Sequence, residues 1–226
     1  MRSWINLFIA ARRAEGGRGV HRPRARMLPV LMAAVLICAP GVAVSANTDG
    51  AQAKKLIEDL SKRALSVLKA EKGNLAQREA KFRTILGEYF AMSAISRTVA
   101  GQHWQEMSPD QRAEFQKLFS EWVLKTYSRR FGGYQGEKIS VGDTSAVGRD
   151  SVLVQTTVSG PKRDNKVEWR VRQSGQESNK IVDVSVDGVS MLVTQRSEIA
   201  SIVKNKGVGG MIDTLRSHVQ KADASH

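Results

Sequence analysis

Val182–Met191 reads VDVSVDGVSM, and LVTQRSEIASIVKNKGVGGMIDTL follows at once. Val182, Val184 and Val186 alternate with polar residues, as on the buried side of a strand. Asp187-Gly188 supplies tight-turn chemistry. Beyond it the apolar spacing changes from two to 3.6, which predicts helices near Ser190–Asn205 and Gly209–Lys221, separated by Gly207. Upstream, the same period of two recurs from Lys138 onward. Ser151–Ser159 alternates Val152, Val154, Thr156 and Val158. In Lys166–Gln173, Val167, Trp169 and Val171 face one way, and Lys166, Glu168, Arg170 and Arg172 face the other. One wet face and one buried face mark antiparallel strands. Gly160–Asn165 reads as the polar loop between them.

Helical patterns precede the strands. In residues 52–72, Leu56, Leu60, Ala64 and Leu68 recur every four residues with charges opposite, and Gly73-Asn74 reads as a C-terminal cap. Phe82, Ile85, Leu86, Tyr89 and Phe90 form a second stripe. Ile95 and Val99 form a third, stopped at Gly101. Ser108-Pro109-Asp110-Gln111 is a helix start: Ser108 caps, Pro109 suits the first turn, and Gln111 closes a capping box. Phe115, Leu118, Phe119 and Trp122 follow on one stripe until Gly132-Gly133. Helices, then a meander of strands, then helices predict an α+β fold. Only Ala222–His226 reads as disordered.

The first 46 residues have another character. Arg22, Arg24 and Arg26 precede the apolar run Leu28–Ala39. Pro40-Gly41 breaks that run, and Val44-Ser45-Ala46 offers small side chains for cleavage after Ala46. This is the pattern of a secretory signal peptide over residues 1–46. The run is shorter than the roughly 20 residues a membrane span needs. Met27 offers a second start site. The chain of 226 residues carries +13, but the leader holds seven arginines and one glutamate. Residues 47–226 therefore keep 28 basic and 21 acidic residues, a charge of +7, and no cysteine. An exported chain without a disulfide relies on its core, and about 180 residues suffice for one domain with a real interior. Outside the cytoplasm that charge points to anionic lipid or an acidic protein partner, not to nucleic acid.

Catalytic groups do not assemble. His103 and His218 lack ligand-like spacing, so no metal site follows. Ser190 lacks the second glycine of a nucleophile elbow and reads as a helix cap. Asp183 and Asp187 alternate on a strand's polar face. Gly207–Gly210 is too short for a phosphate loop. The chain does not read as an enzyme, and no cofactor is implied. The aromatic stripes read residue by residue as core packing. Taken together, Trp104, Phe115, Phe119, Trp122, Tyr127 and Trp169 exceed what a small sheet requires, and a concave sheet closed by amphipathic helices can leave a cavity.

At these residues the chain resembles the MlaC family, also called the toluene-tolerance family, of periplasmic phospholipid-binding proteins. The resemblance rests on Ile95–Gly101 with Trp104, Ser108-Pro109-x-Gln111-Arg112-x-x-Phe115 and Phe119, and Tyr127 with Tyr134-x-Gly136. It continues in Asp187-Gly188-Val189-Ser190-Met191, Gln195-Arg196, and Gly207-x-Gly209-Gly210 before Leu215. It spans about residues 52–220 and departs from the commonest pattern at Gly87-Glu88 and Ser93. It implies a twisted antiparallel sheet wrapped by helices, of nuclear-transport-factor-like shape, enclosing an apolar lipid cavity. It also implies a monomer that shuttles phospholipid between an outer-membrane lipoprotein complex and an inner-membrane ABC transporter with a lipid-binding ring, maintaining outer-membrane asymmetry. On that footing Phe90, Ile95, Val99, Trp104, Phe119, Trp122, Val154, Trp169, Val171, Val184, Val189 and Met191 are expected to line the lipid site. Arg97, Arg129 and Arg130 are expected to meet headgroups or partners. A hopanoid cargo, or a cargo-free exported adaptor, are the alternatives.

Overall fold

Four consecutive hairpin-type connections build the sheet. In the computed structural model, which describes residues 43–70, 74–130, 136–161, 163–175 and 177–224 (backbone alone for 43–48, 129 and 130), five strands follow one another in chain order. They are β1 (Lys138–Val147), β2 (Ser151–Ser159), β3 (Asp164–Arg172), β4 (Lys180–Val186) and β5 (Val189–Ser190), every neighbouring pair antiparallel. Among the described residues six helices accompany them: α1 (Ala43–Ala70), α2 (Leu75–Tyr89), α3 (Met92–Ala100), α4 (His103–Glu106), α5 (Pro109–Arg130) and α6 (Met191–Ala224). The fold is α+β, as the sequence pattern predicts. The leader expected over residues 1–46 lies outside the described residues except for Ala43–Ala46, which open α1.

Register puts the apolar strand positions on one face. Val152 opposes Val171, Val154 opposes Trp169, Thr156 opposes Val167, and Val158 opposes Asn165. Directly opposed residues share a face. On β4 the pattern differs from the reading of Val182, Val184 and Val186 as one buried side. Val186 opposes Val167 and Val184 opposes Trp169, but the register then shifts and Ile181 opposes Val171. Val182 is the extra residue of a bulge. It stays buried, while the fully buried Ile181 takes the inner-face place. A second bulge sets Gly142 and Asp143 of β1 against Gln155.

The turn between β4 and β5 has φ of 49° at Asp187 and 81° at Gly188. Positive φ at both central residues is what a two-residue hairpin of the right twist demands, and Asp-Gly meets it cheaply. Asp187 is further tied to β3: its N–H donates to the Lys166 carbonyl at 2.8 Å, and its Oδ1 accepts the Lys166 N–H at 3.0 Å. The free edge of β4 is closed at its other end, where Phe90 bridges Ile181 and the Ala91 N–H donates to the Ile181 carbonyl at 2.9 Å. Covering both ends of that edge removes a template for unwanted pairing.

The helix boundaries follow local chemistry. Asn74, expected to close the first helix, instead caps the start of α2, its side chain accepting the Gln77 N–H at 2.9 Å. The expected capping box is present on α5: Ser108 Oγ accepts the Gln111 N–H at 3.2 Å, and Gln111 Oε1 accepts the Ser108 N–H at 2.9 Å. Ser108→Ala is expected to cost about 1 kcal/mol, lowering the melting temperature by roughly 2–4 °C in a thermal scan. In α6, Gly207 has φ 69° and ψ 178°, a conformation open essentially to glycine alone. The helical pattern thus breaks where the sequence places the break. Residues 222–224, read as disordered, instead extend α6, and Asp223 forms an ion pair with Lys125 of α5.

That pair belongs to a buried polar group the helical stripes do not reveal. Lys125 Nζ lies 3.8 Å from Glu79, Ser128 Oγ donates to Glu79 at 3.3 Å, and Arg78 Nε donates to the Ser128 carbonyl at 2.8 Å. All four side chains are buried. Nearby, Arg83 of α2 clasps Glu121 of α5, and those hydrogen bonds raise the already high pKa of the guanidinium. Charge inside a helix interface needs such pairing, and here it fixes α2 against α5.

Candidate functional site

Large apolar side chains gather in separate clusters, and that partition defines the site. The first lies between the sheet's inner face and α1, α2 and α5: Ile57, Leu60, Phe82, Ile85, Tyr89 and Leu124 meet Val152, Val154, Val171 and Ile181. Phe90, Trp169 and Val184 border it, only partly buried. The second is helical: Val99, Met107, Phe115 and Phe119 meet Ile199, Val203, Met211 and Leu215 of α6, with Ile95, Trp104 and Trp122 partly buried against them. Phe115 and Phe119 stack at 5.8 Å between ring centroids, and Trp122 tilts onto Phe119 at 5.9 Å. A third, at the far end of the inner face, comprises Val158, Val167 and Val186, bordered by Ile139, Trp169 and Val184. Among the described residues it holds strand side chains only.

The residues expected to line one site are therefore distributed. Phe90, Val154, Trp169, Val171 and Val184 come together on the sheet's inner face. Ile95, Val99, Trp104, Phe119 and Trp122 come together among the helices. Val189 and Met191 are half-buried at the hairpin and the first turn of α6. Trp169 and Val184 join the first and third clusters, so the inner face is one continuous apolar surface. Trp169 is also held in plane: its Nε1–H donates to Thr156 Oγ1 at 3.0 Å, and that hydroxyl donates to the Val167 carbonyl at 3.2 Å. Thr156 thereby satisfies itself and the indole inside an apolar face. Its position in the alternation marks it as inward-facing, but only the register discloses the partner.

Arg97 is exposed and lies over the Trp104 ring at 6.0 Å. Arg112 approaches the same ring at 5.5 Å and donates from Nε to the Trp104 carbonyl at 2.9 Å. This makes a basic, aromatic corner at the α3–α4 junction. The expectation for Arg129 and Arg130 concerns side chains outside the described residues. The polar residues weighed for chemistry have structural partners. His103 Nδ1 lies 2.9 Å from Glu106. Ser190 Oγ donates to Asp183 at 2.6 Å and accepts the Val193 N–H at 3.1 Å, so it caps α6 as expected. Asp187 serves the turn and pairs with Arg163 at 3.1 Å. No described helix is long and apolar enough to cross a membrane.

A five-stranded antiparallel meander whose apolar inner face is covered by helices at one end defines a class of α+β protein. The sequence model of the MlaC protein family matches residues 58–217, and the chain belongs to that family. Among solved structures it is similar to the phospholipid-binding protein from Ralstonia solanacearum, determined in complex with a phospholipid. The two share 18 % identity at a TM-score of 0.64, over 76 % of this chain and 98 % of that one. At that identity the likeness speaks for the fold.

Proposed function

We propose that this protein is a periplasmic lipid carrier, a binding protein and not an enzyme. It holds the acyl chains of a phospholipid in an apolar cavity bounded by the inner face of the sheet and its covering helices. Residues 1–46 act as the export signal, removed after Ala46, and the mature carrier travels as a monomer between an outer-membrane lipoprotein complex and an inner-membrane ABC transporter with a lipid-binding ring. In doing so it maintains the lipid asymmetry of the outer membrane. The observation that carries this reading is the continuous valine face with Phe90, Trp169 and Val184 left half-buried on it. Membership of the MlaC family and the fold shared with a phospholipid-bound protein support it.

The energetics fit a carrier without an energy source of its own. Each methylene moved into water costs about 0.8 kcal/mol, so two acyl chains of about 30 methylenes resist transfer by on the order of 20 kcal/mol. An interior as apolar as the bilayer cancels most of that, leaving loading near balance, and direction comes from the partners. The helical cluster around Phe119 and Trp122 forms the second wall. Arg97, with Arg129 and Arg130, meets headgroups or acidic partner surfaces. Native mass spectrometry of residues 47–226, exported and purified without detergent, is expected to show a bound mass matching phospholipid. A bare mass that persists after incubation with liposomes would replace the carrier with a cargo-free adaptor.

A further inference from the structure

Three guanidinium groups gather at the turn from α3 into α4, and none of them forms an ion pair among the described residues. Arg97 of α3 and Arg112 of α5 lie over the one Trp104 ring, at 6.0 and 5.5 Å. Arg112 uses only Nε on the Trp104 carbonyl, so its two terminal nitrogens have no partner among the described residues. Arg196 of α6 reaches the same turn. Gly101 has φ of 58°, and a β-carbon there would stand 3.1 Å from Arg196 Nε and 3.4 Å from Nη2. The Arg196 guanidinium therefore rests on bare backbone. The carboxylates of the neighbouring elements are taken: Glu106 by His103, Glu114 by Arg216, and Asp183 by Ser190 and the Leu192 N–H. Asp110 and Glu198 stand two residues from Arg112 and Arg196 on their helices, and side chains two apart do not face each other. The positive charge of the corner is left uncancelled. One turn before Arg196, on the same side of α6, Val193 is 62 % exposed, the one large apolar side chain so exposed among the described residues.

We propose that this corner is a docking surface for a protein partner that presents carboxylates. Arg97, Arg112 and Arg196 receive them, and Val193 supplies an apolar contact beside them. This rests on the carrier reading, whose two membrane complexes are the candidate partners, and it assigns Arg97 to a protein surface instead of a headgroup. The way the arginines are held favours a protein over an anionic membrane. A bilayer attracts basic side chains by their summed charge and rewards a broad apolar face that can enter it. Here the guanidiniums are fixed by a ring, a carbonyl and a bare glycine, with a single β-branched side chain alongside. Preorganised forks match the bidentate geometry of individual carboxylates and lose little freedom on binding. Arginine and tryptophan are also the side chains on which protein interfaces concentrate their affinity.

The test measures binding of the mature, lipid-loaded protein to the purified outer-membrane lipoprotein complex, to the purified inner-membrane transporter, and to phosphatidylglycerol vesicles. Arg196→Glu and Val193→Glu are each expected to weaken docking on at least one complex by about tenfold, the loss of one central interface side chain. Both positions are exposed, so the melt and the lipid load seen by native mass spectrometry are expected to stay those of wild type. Arg149→Glu, on the turn between β1 and β2, changes the net charge as much as Arg196→Glu and is expected to dock like wild type. Added salt should weaken wild-type docking more than that of Arg196→Glu. Unchanged docking by both α6 variants, or an equal loss in Arg149→Glu, overturns the proposal. Binding that Arg196→Glu loses on the vesicles alone overturns it too and gives the corner to the membrane. A wild type that carries lipid but docks on neither complex overturns the docking surface, whereas one that carries no lipid overturns the carrier reading itself.

Discussion

Val184→Asp is expected to give a folded protein that carries no lipid, whereas Val171→Asp is expected not to fold. The two valines lie on the same sheet face and differ in what closes over them. Val171 is fully buried, opposite Val152 on one side and Ile181 on the other. A carboxylate there stands between two aliphatic side chains, and an unpaired buried charge costs several kcal/mol. That is comparable with the whole stability of a domain, about 5–15 kcal/mol. Val184 is half-buried where the first and third clusters meet. Without cargo, its aspartate can keep contact with water at modest cost. With acyl chains against it, that water is lost and the charge must be neutralised, which opposes binding by the same several kcal/mol. Circular dichroism and thermal melting report the fold, and native mass spectrometry the cargo. The expected readings for Val184→Asp are a near-normal melt and more than a tenfold loss of bound lipid. A Val184→Asp protein loaded like wild type would remove the inner face from the lipid site.

The contrast between these two valines also marks how far the sequence can be read. Features made within a few residues are legible: the capping box at Ser108 and Gln111, the Asp187-Gly188 turn, the glycine break at Gly207, and the alternation of β2 and β3. Each depends on local geometry alone. Features made by register or by returning helices are not. The bulge that lets Ile181 displace Val182 from the inner face arises from pairing between β3 and β4, and neither strand's sequence announces it. Asn165, which belongs by composition to a polar loop, is drawn onto the inner face because β3 begins at Asp164, two residues before the alternation that starts at Lys166. The stripes of α3 and α5 are visible as stripes, but their partner is not. It is α6, reaching back with Ile199, Val203, Met211 and Leu215, that assigns Val99 and Phe119 to a cluster separate from Val154 and Trp169. The charged residues Arg78, Glu79 and Lys125 lie off the apolar stripes and are buried because two helices bring complementary charges together. Candidate site residues were thus identifiable as apolar and inward-facing, while their grouping required tertiary contacts.

Asp183→Ala is expected to be the most destabilising substitution among the polar residues of the sheet, because one carboxylate joins strand, hairpin and helix. Its Oδ1 accepts the Val184 N–H at 2.8 Å and the Leu192 N–H at 3.0 Å, and its Oδ2 accepts the Ser190 hydroxyl at 2.6 Å. Ser190 Oγ in turn accepts the Val193 N–H, so two free donors in the first turn of α6 depend on this network. Alanine removes every acceptor at once, in a half-buried place. A charged acceptor is worth about 1.5–3 kcal/mol per bond and a helix cap about 1 kcal/mol, and such coupled losses do not add in full. The expected cost is about 2–4 kcal/mol, which for a domain of this size lowers the melting temperature by about 5–15 °C. Asp183→Asn keeps an acceptor oxygen and should recover about half of that. The effect should reach the lipid site as well, since the same network sets Val184 on the inner face and starts the helix that covers Phe119. A melt within about 2 °C of wild type for Asp183→Ala would mean that the start of α6 is anchored by its apolar contacts alone. The hairpin would then be free to shift without moving the helix, and Val184 and Phe119 would respond to cargo independently.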